Sequence, residues 1–413
     1  MIGWKTEFVL STTRYLVKRK SLFHLLRIYE WWLSKKFSVP NLPQTSYQLT
    51  IRMIRELYSR TRPVIWASLF FPCEFIHAAG AIPFYPEIAA GLVAALGFPH
   101  IPLEKAEQNW YSQDLCSYHR AGVGMSLLEL FPRPDLLLAT TSICRGTTAF
   151  FQTLADIWKV PCYLVDVPFE SSPEALRYVK DQLTVIASDI QSRFGSRFDW
   201  EKSFTLSNET IRIIQQIGEL RKQRDILLHP PTKNLDYLPY YFQFLGSPSS
   251  LLFFKKLRQH LRESREQNTL SHRLIWLHLK PFYTNRLTAL LKEYGCGVVF
   301  DEFGSIFWEP LDSENPLESL AKKICSSQNF TIPEQRITKI LRWCKEYQAD
   351  GVIQFNQWGC RQSQGMNYLL KKSLQQKGYP LLLLDGDHLD KRFYSEEQLR
   401  TRIEAFHELM EGL

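Results

Sequence analysis

The feature that most constrains this chain is an alternation, present in two separate stretches, between short apolar runs and longer amphipathic segments. In the first stretch the runs are Val64–Phe70 (VIWASLF), Ile82–Tyr85, Leu136–Thr141 and Pro161–Val167. In the second they are Arg273–Leu279, Gly297–Phe300, Gly351–Phe355 and Pro380–Leu384, separated by helical spacing at about 283–294, 333–347 and 362–377. Runs that are apolar throughout, rather than at every second residue, need cover on both faces. A parallel sheet with helices on each side supplies it. The fold class is therefore α/β, with two Rossmann-like parallel-sheet units.

The remaining segments read as helical and set the expected layout. Residues 1–60 form a helical N-terminal region, 61–172 the first α/β domain, 173–268 a helical insert, and 269–413 the second α/β domain. Leu22–Phe37 carries Lys and Arg between apolar positions. Its broad apolar arc, with two tryptophans, predicts a packing helix rather than one lying on a membrane surface. Pro173–Arg193 and Ser207–Leu228 are long helices, with Ser207 offered as a cap and His229-Pro230-Pro231 as the break. Ser395–Met410 closes the chain, Ser395 and Gln398 making a capping-box start.

Composition narrows the function classes. A chain of 413 residues, 45% hydrophobic and 22% charged, reads as an ordinary globular protein of two to three domains. Its formal net charge of +8 favours an anionic ligand without requiring nucleic acid. The most apolar region, Val64–Phe98, is interrupted by Pro72, Glu74, His77, Pro83, Pro86 and Glu87, which a bilayer span does not tolerate. Met1–Lys20 has no continuous apolar core ahead of a cleavage site, so the expected compartment is the cytoplasm. Eight cysteines are too few for a disulfide scaffold, and the lack of any CxxC excludes a zinc ribbon or a clustered ferredoxin run.

Ligands of open parallel sheets bind beyond the carboxyl ends of the strands. Ser68, Cys144, Asp166, His278, Asp301, Glu302, Cys360, Asp385 and Asp387 fall at those positions. No GxGxxG or GxxxxGK[ST] follows any strand, which argues against dinucleotide and P-loop nucleotide binding. Cys162 and Cys344 sit in apolar surroundings, and Cys73, Cys296 and Cys325 show no partner pattern. Cys116, Cys144 and Cys360 differ: each stands at a segment boundary beside polar residues or glycine. The residues alone leave two readings open, three separate free thiols or three ligands of one shared group. Three thiolates fall short of a closed zinc site, but they would leave one iron of a [4Fe–4S] cubane open to water or a substrate oxygen.

Four blocks in order carry a resemblance. They are Val64–Pro83 (VIWASLFFPCEFIHAAGAIP); Cys116-Ser117 with Pro134-Asp135, Cys144 and PCYLVDVP; Ala349–Cys360 (ADGVIQFNQWGC); and Pro380–Phe406 with Asp385 and Asp387. From about Thr61 to the C-terminus the chain resembles the 2-hydroxyacyl-CoA dehydratase and benzoyl-CoA reductase family, and within it the dehydratase iron–sulfur subunit. The resemblance implies one [4Fe–4S] cluster held by Cys116, Cys144 and Cys360. It implies a homologous second subunit, in a heterodimer or a homodimer, and an ATP-dependent iron–sulfur activator protein that injects one low-potential electron. On that pattern the substrate is an acyl-CoA, water is eliminated through a ketyl radical, and Glu87 and Ser68 serve as base and thioester hydrogen-bond donor. Nucleic acid and membrane are not expected partners. The family also contains reductases of aromatic acyl-CoAs, the alternative activity, and a non-catalytic partner subunit would keep the same fold. Cys73, Arg145 and Arg361 depart from the family pattern, and Cys73 is open as a further ligand.

Overall fold

Strands form where the apolar runs predict them: β1 (Val64–Ala67), β2 (Ile82–Phe84), β3 (Leu136–Thr140), β4 (Cys162–Val165), β5 (His272–Leu277), β6 (Cys296–Asp301), β7 (Gly351–Gln357) and β8 (Leu381–Gly386). This is a computed structural model, and it describes residue 15 and residues 18–36, 41–170, 172–223, 238–263, 270–305 and 309–412. Strands β1 to β4 form one parallel sheet in the order β2-β1-β3-β4, and β5 to β8 form a second in the order β6-β5-β7-β8. The two units thus repeat one topology, as the α/β reading requires. In each sheet the first strand is central, and the chain crosses over it between the second and third strands. The crevice at that switch point, beyond the β1/β3 and β5/β7 carboxyl ends, is where a ligand of such a sheet sits.

Helices cover both faces. Those up to the end of the first unit are α1 (Lys20–Lys36), α2 (Leu42–Ser59), α3 (Cys73–Ala78), α4 (Pro86–Ala95), α5 (His100–Glu107), α6 (Ser117–Leu127) and α7 (Gly146–Trp158). The insert contributes α8 (Pro173–Phe194), α9 (Trp200–Lys222) and α10 (Pro248–Glu263). The second unit adds α11 (Leu287–Glu293), α12 (Pro316–Ser326), α13 (Pro333–Glu346), α14 (Arg361–Gln364), α15 (Asn367–Gln375) and α16 (Glu396–Glu411). Outer layers are separate for the two sheets: Trp66, Leu137, Phe151 and Leu154 pack together on one, Ile275, Val352, Trp343 and Leu370 on the other. The inner faces share one core that runs from Ile65 and Leu138 through Phe204 and Phe253 of the insert to Leu274 and Ile353. The insert is therefore the filling between the sheets. Among the described residues no helix is long and apolar enough to cross a membrane.

Two local expectations change. Helix α9 starts at Trp200, with Asp199 as its cap accepting from the Lys202 amide at 3.1 Å. Ser207 is therefore mid-helix, fully buried, and donates to Glu74 Oε1 at 2.7 Å instead of capping. That carboxylate also meets Lys323 at 2.5 Å, which gives the buried hydroxyl a better acceptor than a helix backbone offers. The break expected at His229-Pro230-Pro231 lies outside the described residues. Helix α1 buries Leu33, yet Trp31 and Trp32 are 62% and 45% exposed, so the broad arc does not all pack inward. The closing helix has the expected cap, Ser395 accepting from the Gln398 amide, which is one half of the expected capping box.

Candidate functional site

Ser68, Glu87, Cys116, Cys144, His278, Glu302 and Cys360 line one cleft at the facing switch points, about 1130 Å³ with its solvent-open mouth included. Asp166, Asp301, Asp385 and Asp387 do not line it, and Cys73 is buried away from it with its thiol on the Leu245 carbonyl. Ser68 follows β1, Cys144 follows β3 and Cys360 follows β7, while Glu87 opens α4 and Cys116 caps α6. The structure thus brings Cys116, Cys144, Cys360, Glu87 and Ser68 together from both units. Leu69, Phe70, Ile88, Leu238, Leu279 and Phe330 give the walls their apolar character.

One close backbone approach makes this convergence possible. A Cβ on Gly359 would stand 2.5 Å from the Cys116 amide nitrogen and 2.7 Å from its Cα, so only glycine lets the β7 exit lie against the α6 start. A Cβ on Gly146 would sit 3.4 Å from both Cys144 Sγ and the His119 ring. Gly359→Ala is expected to cost about 1–3 kcal/mol in urea unfolding, because the obstructing atoms are backbone and cannot rotate away. Unchanged stability would show that the two units do not meet this way. Ile143, just before Cys144, takes φ +68°, and His278 takes φ +65°. A β-branched residue in this region is an outlier, and its position beside a cavity thiol fits the clustering of backbone strain at functional sites.

The three thiols differ in acidity. Burial pushes Cys116 well above the usual range, and the neighbouring Cys360 and Cys144 sulfurs push it further. Cys144 is raised by burial and by Cys360, while the amides at the start of α7 work in the opposite direction. For Cys360 burial is outweighed by His278, whose Nε2 lies 3.8 Å from the sulfur, and the thiol falls to about 6. Cys360 is thus ionised at neutral pH. Among the described residues, these thiols do not form a group whose ligand atoms all lie within 4.8 Å. One zinc ion, with Zn–S bonds of about 2.3 Å, would need its sulfurs closer than that. The spread suits a polynuclear centre.

Glu87 is pushed up to about 8 by burial, against the pull of its own amide and that of Leu69, and its Oε2 has no hydrogen-bond partner. It holds a proton at neutral pH. Because the folded value lies above the ordinary 4.5, the stability linked to that proton is complete below about pH 4.5 and is lost as the pH rises through 8. Wild type is therefore expected to lose stability relative to Glu87→Gln across that window, with a slope of up to about 1.4 kcal/mol per pH unit. Parallel pH profiles in urea unfolding would contradict a buried, protonated Glu87. Ser68 Oγ accepts the Thr140 amide at 3.1 Å, a strand-end bridge that uses its acceptor side and keeps the hydroxyl proton for another partner.

Sequence reasoning missed His119 and Tyr118 and gave His278 no role. His119 stacks on Phe150 at 4.6 Å, and burial lowers it to about 4, so the ring is neutral. Its position three residues after Cys116 was a usable signal, since that spacing puts both at the start of one helix. Tyr118 Oη and His278 Nδ1 are buried without partners, as is Glu87 Oε2. Three unsatisfied polar atoms on the residues of one cavity point to a polar ligand. Beneath it, Arg336 holds Glu302 through two contacts of 2.6 and 2.8 Å, and Glu302 Oε2 accepts the His278 amide at 3.1 Å.

The model of the 2-hydroxyglutaryl-CoA dehydratase D-component family matches residues 68–410. The chain belongs to this family. It is 25% identical over 401 residues to the lactoyl-CoA dehydratase alpha subunit of Anaerotignum propionicum, covering 87% of this chain and 93% of the relative. Against the (R)-phenyllactyl-CoA dehydratase alpha subunit of Clostridium sporogenes the figures are 24%, 86% and 91%. A benzoyl-CoA reductase subunit of Thauera aromatica is 20% identical, with 74% and 79% covered. These matches bear out the resemblance and the expectation of an enzyme of the dehydratase kind, with a reductase among the relatives.

Proposed function

We propose that this family member is the cluster-bearing subunit of a radical 2-hydroxyacyl-CoA dehydratase, with Cys116, Cys144 and Cys360 as ligands of a [4Fe–4S] cluster. The observation that carries the proposal is the meeting of the three thiols from both α/β units with Glu87 in one apolar cavity. The donor set fits the cluster: the sulfurs are spread beyond a single-ion site, Gly146 adds no Cβ beside Cys144 Sγ, and Gly359 lets the β7 exit lie against the Cys116 backbone. When bound, the cluster supplies a low-potential electron, delivered by an ATP-dependent activator, and an open iron that acts as a Lewis acid.

The chain's own residues account for the rest. Apolar walls hold the acyl group and exclude water, which strengthens every polar contact inside. Neutral Glu87 can donate its proton to the departing hydroxyl at C2. Its carboxylate, once formed, takes the proton from C3, so one water leaves and Glu87 ends as it began. The acidity of C3–H that makes this feasible belongs to the enoxy radical left once the ketyl has lost its hydroxyl. The product ketyl formed by that deprotonation gives up the added electron to become the 2-enoyl thioester. Ser68 directs its hydroxyl proton to the thioester carbonyl.

A second, homologous chain is part of the proposal. The chain is also 23% identical over 290 residues to the (R)-phenyllactyl-CoA dehydratase beta subunit of Clostridium sporogenes, whose alpha subunit it matches as well. The test is anaerobic incubation of the chain, its partner chain, activator, ATP and reductant with (R)-phenyllactyl-CoA and (R)-2-hydroxyisocaproyl-CoA. Formation of the 2-enoyl thioester with only catalytic reductant supports the dehydratase. Stoichiometric consumption of reductant assigns a reductase instead. Zinc in place of iron and acid-labile sulfide would end the cluster assignment.

A further inference from the structure

At the end of the second sheet opposite the cysteine cavity stands another group of metal-type donors. His272 opens β5 and is buried. His407 and Glu411 lie one turn apart near the end of α16, so both side chains leave the same face of that helix. Glu411 Oε1 is 3.0 Å from His272 Nε2 and 3.8 Å from His407 Nε2, and the three donor atoms all fall within 4.8 Å of one another.

The surroundings fix this arrangement in advance. Ile403, Phe406 and Met410 bury the inner face of α16, and Gly351 at the start of β7 lets the helix come close. A Cβ there would stand 2.7 Å from Phe406 Cζ and 3.1 Å from Met410 Sδ. The imidazoles are oriented by rings: His272 meets His407 edge-to-face at 5.1 Å, and His407 leans on Tyr294 at 5.4 Å. Four-coordinate zinc, with bonds of about 2.0–2.2 Å to imidazole and carboxylate, sets neighbouring donors roughly 3.4 Å apart. The two Glu411 Oε1 distances, 3.0 and 3.8 Å, lie on either side of that spacing.

We propose that His272, His407 and Glu411 bind a divalent transition ion of the zinc type. Two imidazoles and a carboxylate are the borderline donors such an ion takes, with water completing the fourth position. The ion would tie the last helix to the central strand of its sheet. It stands apart from the thiols and from the reaction proposed above, so either assignment can fail alone.

The test is titration of the anaerobically prepared full chain, with its native metal content, using Co²⁺ and then Zn²⁺. Wild type is expected to take up one more equivalent of Co²⁺ than His407→Ala or Glu411→Gln. The ligand-field bands should appear without thiolate-to-cobalt charge transfer, and Zn²⁺ should bleach them. Zn²⁺ should also raise the thermal midpoint of wild type and leave that of the variants unmoved. Glu411 is half-exposed, so its variant keeps the test interpretable where His407→Ala folds poorly. Equal uptake by wild type and Glu411→Gln overturns the proposal, as do cobalt bands of thiolate character that survive the substitution.

Discussion

Arg120→Met is expected to unfold about 3 kcal/mol more readily than wild type, the lower end of the range for removing one partner of a buried ion pair. Arg120 is fully buried on α6 and reaches across to the second unit. Its guanidinium donates to Asp390 Oδ2 at 3.2 Å, approaches Asp387 at 3.9 Å, and donates to Glu107 in its own unit at 2.9 Å. Without it, Arg392 still neutralises Asp390 and Glu107. Asp387 is the group left exposed to the loss. It is 1% accessible, burial already raises its carboxyl, and its remaining partners are the Ser117 hydroxyl, the Gln357 amide and the backbone amides of Leu389 and Asp390. Urea unfolding of Arg120→Met measures the cost, and Arg120→Met/Asp387→Asn should recover part of it by removing the stranded charge. A double variant no more stable than the single one would mean that Asp387 is not what Arg120 neutralises.

That network also shows where sequence reading stops. Strands were legible because burial on both faces leaves unbroken apolar runs such as Leu136–Leu138, and proline at 72 and 161 marks their ends. Strand order was accessible only as a class, because pairing depends on crossovers that no local pattern records. The cap of α9 went wrong because Ser207 and Asp199 offer the same chemistry, and only the burial of Glu74 decides that Ser207 faces inward. Cys116, Cys144 and Cys360 stood out by their polar and glycine neighbours. Their sharing of a cavity depends on Gly359 lying against the Cys116 backbone, a contact between distant segments with no sequence signature of its own. The same holds for Arg120 and Asp390, whose contact joins positions 270 residues apart.

Cys360→Ala is expected to lose iron, visible absorption and turnover as completely as Cys116→Ala or Cys144→Ala, although it comes from the other α/β unit. Changes beyond the direct ligands of a metal already cost roughly 10–100-fold, so removal of a ligand should cost more than 100-fold in activity. Cys360 has a particular claim among the three. Lowered to about 6 by His278, it meets a cationic centre as a thiolate without first giving up a proton, whereas burial keeps Cys116 and Cys144 protonated. Ligands must be deprotonated to bind, so on the proposed assignment the two raised thiols would release protons on assembly and depend on the cluster for their ionised state. Cys360 would then be the first anchor, and its loss should prevent assembly rather than merely weaken it. The comparison is iron and acid-labile sulfide per chain in the three variants, prepared anaerobically beside Cys162→Ala, whose sulfur lies at the start of β4 outside the cavity. Wild-type iron content in Cys360→Ala would restrict the site to the first unit and detach the second sheet from the chemistry.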